Sequence, residues 1–297
     1  MNLNNELTRL KDLVEKELDK TLPKVEGKQK NVIEAMRYSA FAGGKRLRPI
    51  LVLKSCELVG GNIKDAMPFA LALEMIHTYS LIHDDLPSMD DDDYRRGKPT
   101  NHKVYGESIA ILAGDGLLNC AYETMINHIT ENIEDSKEYI KAFTVIAKAS
   151  GVYGMIGGQV VDIMSESDSF DEKTLDFIHN HKTSALIEAS IIAGGLIGGA
   201  NKEELKRLKE YGKAIGLSFQ IRDDILDIIG NKEKLGKDIG SDQSNQKATF
   251  VSLYGLEESE RKTEKLCKKA INSLDIFNGD NKLFFKDLAE YLVLRDY

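Results

Sequence analysis

Apolar positions along this chain recur every three to four residues, with no convincing two-residue alternation and no internal repeat. The pattern predicts helices over Leu7–Leu18, Asn31–Ala42, Ile50–Val59, Asp65–Asp84, Ser108–His128, Glu138–Ser150, Leu175–Leu196, Asn201–Ile229, Glu257–Leu274 and Lys282–Leu294. The expected fold class is therefore all-α, a helical bundle around a central cavity, with residues 1–297 as a single domain. Two of the helices depart from ordinary amphipathic patterning. In Asp65–Asp84, the residues His77, Ser80 and Asp84 fall at i, i+3 and i+7, one polar stripe on an otherwise apolar helix. Such a helix is expected to be buried, with the stripe facing a cavity. In Asn201–Ile229, Gln220, Asp223, Asp224 and Asp227 hold the i, i+3, i+4, i+7 spacing that normally belongs to the core face.

Burying carboxylates is costly unless something pairs them. Magnesium suits the task, because it takes a few carboxylates together with waters and phosphate oxygens. Asp84 and Asp90 are six apart and would diverge on a straight helix. Pro87 cannot continue a helix interior, so the helix should break near Leu86 and a turn should bring Asp90 back towards Asp84.

Composition narrows the classes. The 297-residue chain has a formal net charge of −8, which argues against a nucleic-acid footprint. Cys56, Cys120 and Cys267 are far apart with no CxxC pair, which suits a reducing compartment and argues against a disulfide framework or a zinc site. The N-terminal stretch reads as an amphipathic helix rather than a signal peptide. The most apolar stretch, Ala185–Ala200, contains Glu188 and several glycines, so no bilayer span is expected. The expectation is a soluble, cytoplasmic protein.

Further segments offer chemistry that the pattern alone leaves open. GGKRLRP (Gly43–Pro49) is either a solvated basic loop or an anion site at a helix start, where free N–H groups and the helix dipole favour phosphate. Arg95 and Arg96 either neutralise Asp90–Asp93 or bind phosphate oxygens with their planar forks. Lys182 interrupts an apolar stripe, and a buried lysine without a partner would lose its proton, so an anionic ligand is expected beside it. Asp115, among Ala113, Gly114 and Gly116, reads as a buried, hydrogen-bonded acid. Gly151–Ile163 places small residues where another backbone or a ligand approaches closely, and its spacing is not that of a dinucleotide loop. Gln159 and Asp162 in it border the expected cavity. Gly212 and Gly216 permit close helix packing. Gly230–Asn245 is polar and reads as a loop that can cover the second acidic motif.

DDLPSMDDDDYRRGKPTNH and DDILD resemble the two aspartate-rich motifs of short-chain trans-prenyl diphosphate synthases, and the matching segments run from about Lys45 to Lys247. The insertion within the first motif resembles the bacterial farnesyl type. The resemblance implies an isoprenoid-synthase-type bundle and three magnesium ions between Asp84, Asp85 and Asp90 on one side and Asp223, Asp224 and Asp227 on the other. It places isopentenyl diphosphate on Lys45, Arg48 and Arg96, gives His77 a diphosphate-binding role, and leaves Arg46 open. It places the allylic diphosphate on Arg95, Lys182 and Thr183, with Lys237 and Lys247 reaching in from the covering loop. Gln246 stands where bacterial relatives often have glycine. Gln220 is placed with the substrate-binding residues, and the role of Arg295 stays open. The implied reaction ionises the allylic diphosphate, condenses the cation with isopentenyl diphosphate and eliminates a proton. Tyr79 and Ser80 precede Asp84 by five and four residues, roughly 6–8 Å along the axis at ~1.5 Å per residue. A bulky Tyr79 there would form the cavity floor, and the resemblance associates it with a C15 product, farnesyl diphosphate. A homodimer is a further expectation of the resemblance. The alternatives are a geranylgeranyl diphosphate synthase with a C20 product, a terpene cyclase of the same fold, and a noncatalytic helical protein that binds divalent ions. DDILD and the GGKRLRP site weigh against the cyclase, and carboxylates at core-face spacing weigh against the last.

Overall fold

The helix Ile63–Asp84 is largely apolar apart from its polar stripe, and its buried residues run round it from Ala66 and Phe69 to Tyr79 and Ile82. The other elements assemble on it. The computed structural model describes residues 2–165, 171–229 and 249–294. In chain order the helices are α1 (Leu3–Thr21), α2 (Lys30–Ala40), α3 (Leu47–Leu58), α4 (Ile63–Asp84), α5 (Asn101–Tyr105), α6 (Glu107–Glu131), α7 (Ser136–Ser150), α8 (Met155–Ser165), α9 (Glu172–Ile178), α10 (Ser184–Ile197), α11 (Lys202–Ile229), α12 (Phe250–Tyr254), α13 (Leu256–Ser273) and α14 (Gly279–Leu294). The fold is all-α, as the periodicity predicts.

Helix α4 packs against α6 and α3, and α10 packs against α3, α7 and α11. Helix α13 lies along α11. Helix α1 is amphipathic and buries Leu10, Val14 and Leu18, one stripe at i, i+4, i+8. Close approach is secured by glycine. A Cβ on Gly194 would lie 2.1 Å from the Val52 carbonyl oxygen, and one on Gly216 would lie 2.8 Å from the Ser184 Cβ, which joins α10 to α3 and to α11. Among the described residues no helix is long and apolar enough to cross a membrane.

Three local features differ from the expectations. The stretch expected as one helix, Leu175–Leu196, is α9, then a single π turn at His179–Thr183, then α10. A π turn inserts a residue into the helical register, so Lys182 does not continue the face of Leu175 and Ile178. Tyr94–Arg95 and Lys98–Pro99 form a minimal antiparallel pair, β1 and β2. Its two-residue turn puts Arg96 at φ 53° and Gly97 at φ 74°, the twist that a tight hairpin needs. Asp115 is exposed rather than buried. Gly114 takes the contact with α4, where a Cβ would sit 2.1 Å from His83 Nε2. One residue further turns about 100° away.

Candidate active site

A cavity of about 320 Å³ opens beside the C-terminal half of α4. Its lining combines the polar side chains of Arg48, His77, Asp84, Lys182 and Thr183 with the apolar ones of Tyr79, Met89, Met155, Ile156, Val160 and Ile163. Ser80 and Gln159 also line it. The predicted stripe therefore does face a cavity. A larger groove, about 890 Å³ between α1, α4 and α6, has no comparable convergence of cations with carboxylates.

The first acidic motif forms as its proline demands. Helix α4 ends at Asp84, and the chain doubles back so that the Asp90 N–H donates to the Asp84 carbonyl at 2.9 Å. Adjacent carboxylates then take different surroundings, because consecutive helical residues point about 100° apart. Asp84 lines the cavity. Burial raises its pKa to about 6; Lys182 pulls it down and Asp90 pushes it up. Asp85 is turned away from that cavity and accepts a hydrogen bond from Arg95 Nε at 2.6 Å. Its pKa is also pushed up to about 6 by burial, against the opposing pull of Arg95. Arg95 bonds Asp92 as well, at 3.3 Å, so its neutralising role is the one the structure displays.

The basic loop converges from the other side. Arg48 Nε is buried without a hydrogen-bond partner. Burial lowers its pKa to about 10; Glu74 raises it, Arg96 lowers it and Asp223 raises it, so both acidic helices are felt at Arg48. His77 is held well below 6.5, first by burial and then by Arg48, Arg96, Arg95 and Arg46, so it is neutral at pH 7. Arg96 donates to the Gly43 carbonyl. Its guanidinium fills the space where a Cβ on Gly44 would stand, 2.7 Å from Cζ, and Gly44 is at φ 120°. Lys45 is exposed at the rim of the loop. Arg46 is buried and bonded to Glu74 and Glu15, so it has no access to the cavity.

The second motif is tied together by hydrogen bonds. Gln220 is not among the residues lining the cavity, and its Nε2 donates to Asp224 Oδ1 at 2.9 Å. Asp224, 2% exposed, also accepts from the Phe250 N–H at 2.7 Å and lies 3.4 Å from His179 Nε2. Its oxygens hold α11 to the π turn and to the start of α12. Asp227 is buried and Asp223 half-buried. Among the described residues no three metal-type side chains converge closely enough to share one ion. Lys182 lines the cavity and has a partner in the protein, Asp162 on α8, at 2.5 Å. Sequence spacing placed both residues near the cavity but could not pair them. His179 carries no signal in the sequence, whereas Gly158 lies in the stretch expected to allow close approach: a Cβ on it would lie 2.2 Å from the Lys182 backbone nitrogen, so α8 rests directly on the π turn. Tyr79, 6% exposed, lies edge-on to His83 with ring centroids 5.7 Å apart. Ser80 Oγ bonds back to the His77 carbonyl. Lys237, Lys247, Gln246 and the covering loop, like Arg295, lie outside the described residues.

The profile of the Polyprenyl synthetase family matches residues 29–282. The chain belongs to that family. A geranylgeranyl diphosphate synthase from Cyanophora paradoxa is 48% identical to this polyprenyl synthetase over 297 residues, covering 99% of the chain and 97% of the relative. An FPP/GFPP synthase from Zymomonas mobilis superposes with a TM-score of 0.87 at 38% identity, over 98% of this chain and 99% of that one. A geranyltransferase from Helicobacter pylori, solved with magnesium and isoprenyl diphosphate, superposes with a TM-score of 0.83 at 33% identity, over 98% and 95% of the two chains. The bundle is accordingly the isoprenyl diphosphate synthase fold, and the chain is a trans-prenyltransferase.

Proposed function

We propose that this prenyltransferase condenses isopentenyl diphosphate with allylic diphosphates at the cavity beside α4. The observation that carries the reading is the cavity's mixed lining: Arg48, Lys182 and Asp84 share it with Tyr79, Met155, Ile156, Val160 and Ile163. A diphosphate with a hydrocarbon chain suits both kinds of wall. Arg48, with its unpartnered Nε, and neutral His77 bind the diphosphate of isopentenyl diphosphate, with Lys45 and Arg96 beside them. Lys182, oriented by Asp162, and Thr183 bind the allylic diphosphate. Lys237 and Lys247 complete that grip. The apolar walls exclude water from the allylic cation, and the eliminated proton leaves with the diphosphate.

The acids fit a divalent cation. Asp84 is buried and crowded by Asp90 and Asp85, a combination that holds its carboxyl protonated up to about pH 6 and that a cation relieves. Asp84, Asp90, Asp223 and Asp227 are the residues proposed to hold magnesium, three ions in all. Asp85 and Asp224 belong to the same motifs, and their hydrogen bonds to Arg95, Gln220 and the Phe250 N–H support a positioning role for them. Magnesium, when bound, neutralises the charge that develops on the leaving diphosphate. The pH dependence has a definite sign. Asp84 and Asp85 have raised folded-state pKa values, so the metal-free protein loses stability as pH rises through about 6. The rise in Tm on adding magnesium with a bisphosphonate is therefore expected to be larger at about pH 7.5 than at about pH 5. An equal rise at both would remove Asp84 from metal binding.

Two product lengths are in play. The first reading is a C20 product, favoured by relatives named for geranylgeranyl diphosphate, among them those from Cyanophora paradoxa and Capsicum annuum. The second is the C15 product, favoured by buried Tyr79 in the cavity lining. The product profile of the purified protein decides between them. Tyr79→Ala opens the apolar wall and is expected to lengthen the terminal product by at least one C5 unit. An unchanged profile would show that Tyr79 is not the floor. A homodimer is part of the proposal too. It is supported by the exposed apolar side chains of α6 (Ile111, Leu112, Ile126) and of the segment around α8 (Val152, Tyr153, Met164), which a second copy would cover.

A further inference from the structure

Between Lys45 and Arg48, the loop at the head of α3 contains an arginine that the proposed chemistry does not use. Arg46 stands at the N-cap of α3 in the left-handed conformation, φ 53°. For a side chain other than glycine this conformation carries a steric cost. Its side chain is fully buried, 0% exposed, opposite Glu74 at 2%. One terminal nitrogen of the guanidinium meets Glu74 Oε1 at 2.5 Å, the other donates to the Ala40 carbonyl at 2.6 Å, and Nε donates to Glu15 Oε1 at 3.2 Å. One residue thus ties the loop to α1, to the end of α2 and to α4. Glu74 is one turn from His77 on α4, and its charge is felt by Arg48 and Arg96 as well.

We propose that the buried Arg46–Glu74 pair is a positioning device for isopentenyl diphosphate: it fixes the left-handed turn that sends Lys45 to the rim and Arg48 into the cavity, in register with His77. The inference rests on the assignment of this loop to isopentenyl diphosphate. Neither member of the pair lines the cavity, so both act through Arg48 and His77.

A buried ion pair can often be replaced by apolar residues of similar volume without loss of stability, whereas removing one partner is destabilising. That separates the positioning role from a merely structural one. In the double variant Arg46→Met with Glu74→Leu, Tm is expected to stay near that of the wild type while KM for isopentenyl diphosphate rises about tenfold or more, since small displacements of a binding group carry such effects. KM for the allylic substrate is expected to be unchanged. A folded double variant with wild-type KM for isopentenyl diphosphate would overturn the proposal, as would equal rises in both KM values. Should the double variant fail to fold, Glu74→Gln, which keeps the shape and removes the charge, gives the same readout: a raised KM for isopentenyl diphosphate alone supports the proposal, and an unchanged one overturns it. Lys45→Ala serves as the reporter for the loop itself. A rise in its KM for isopentenyl diphosphate without any in the pair variants sinks the positioning role alone. No rise in Lys45→Ala sinks the assignment of the loop, and the positioning role with it.

Discussion

Asp84→Asn is expected to lower kcat by about 10²–10³, the loss seen when one preorganised electrostatic contact to developing charge is removed, and to leave the metal-free protein at least as stable as before. The two effects have one cause. The Asp84 carboxyl is buried, and ionising it in the absence of a cation is unfavourable, which is why its pKa is pushed up to about 6. Asparagine keeps the shape and removes the charge, so the folded protein gains stability above that pH while losing the anion that the metal needs. Its neighbour should behave differently. Asp85 accepts from Arg95, whose side chain is 30% exposed, while burial opposes its charge as it does at Asp84. Asp85→Asn weakens the hold on that guanidinium and also relieves the buried charge, so the melting temperature of the metal-free protein is expected to change little, with a smaller loss of kcat than in Asp84→Asn. Steady-state kinetics and thermal melts of the two variants side by side check both. Equal behaviour of the two would show that the turn after α4 does not divide their tasks.

Gly158→Ala carries the second large effect. The added methyl would lie 2.2 Å from the Lys182 nitrogen, 2.7 Å from its Cα and 2.8 Å from the His181 carbonyl carbon. All three are backbone atoms and cannot swing aside. Either α8 lifts off or the π turn shifts, and each moves Lys182 relative to Asp162 and to the cavity. Overpacking of this kind costs about 1–3 kcal/mol, and displacement of a charged binding group by about 1 Å costs up to about 10² in rate. The control is Gly151→Ala, whose nearest foreign atom would be the Ala147 carbonyl oxygen at 3.2 Å. It is expected to stay close to wild type in melting temperature and turnover. A Gly158→Ala protein as active as that control would show that α8 does not set the position of Lys182.

The sites of these two predictions differ in how far the sequence reveals them. The buried helix with its polar stripe, and the acids at core-face spacing on α11, are legible because helical periodicity is local and the departures from it stand out. The return of Asp90 to Asp84 is legible because Pro87 forces it. What escapes are contacts between residues far apart in the chain. Lys182 finds Asp162 twenty residues away, and Asp224 is held by a backbone N–H twenty-six residues on. No spacing rule encodes either. The π turn at His179–Thr183 is hidden because it changes register within a stretch whose composition stays helical. The hairpin at Arg95–Lys98 escapes because Arg96 adopts a left-handed conformation that ordinary propensities do not assign to arginine. Gly158 lies between the two cases: its segment reads as a place of close approach, but only the fold shows that the π turn is what approaches.

The most direct test of the central claim is product analysis of the purified full chain with isopentenyl diphosphate and dimethylallyl diphosphate, in magnesium and again with chelator. The account predicts chain elongation in magnesium and none with chelator, with the terminal product at C20 on the first reading and at C15 on the second. Both substrates recovered intact from folded protein in magnesium, or elongation that persists without metal, would contradict it.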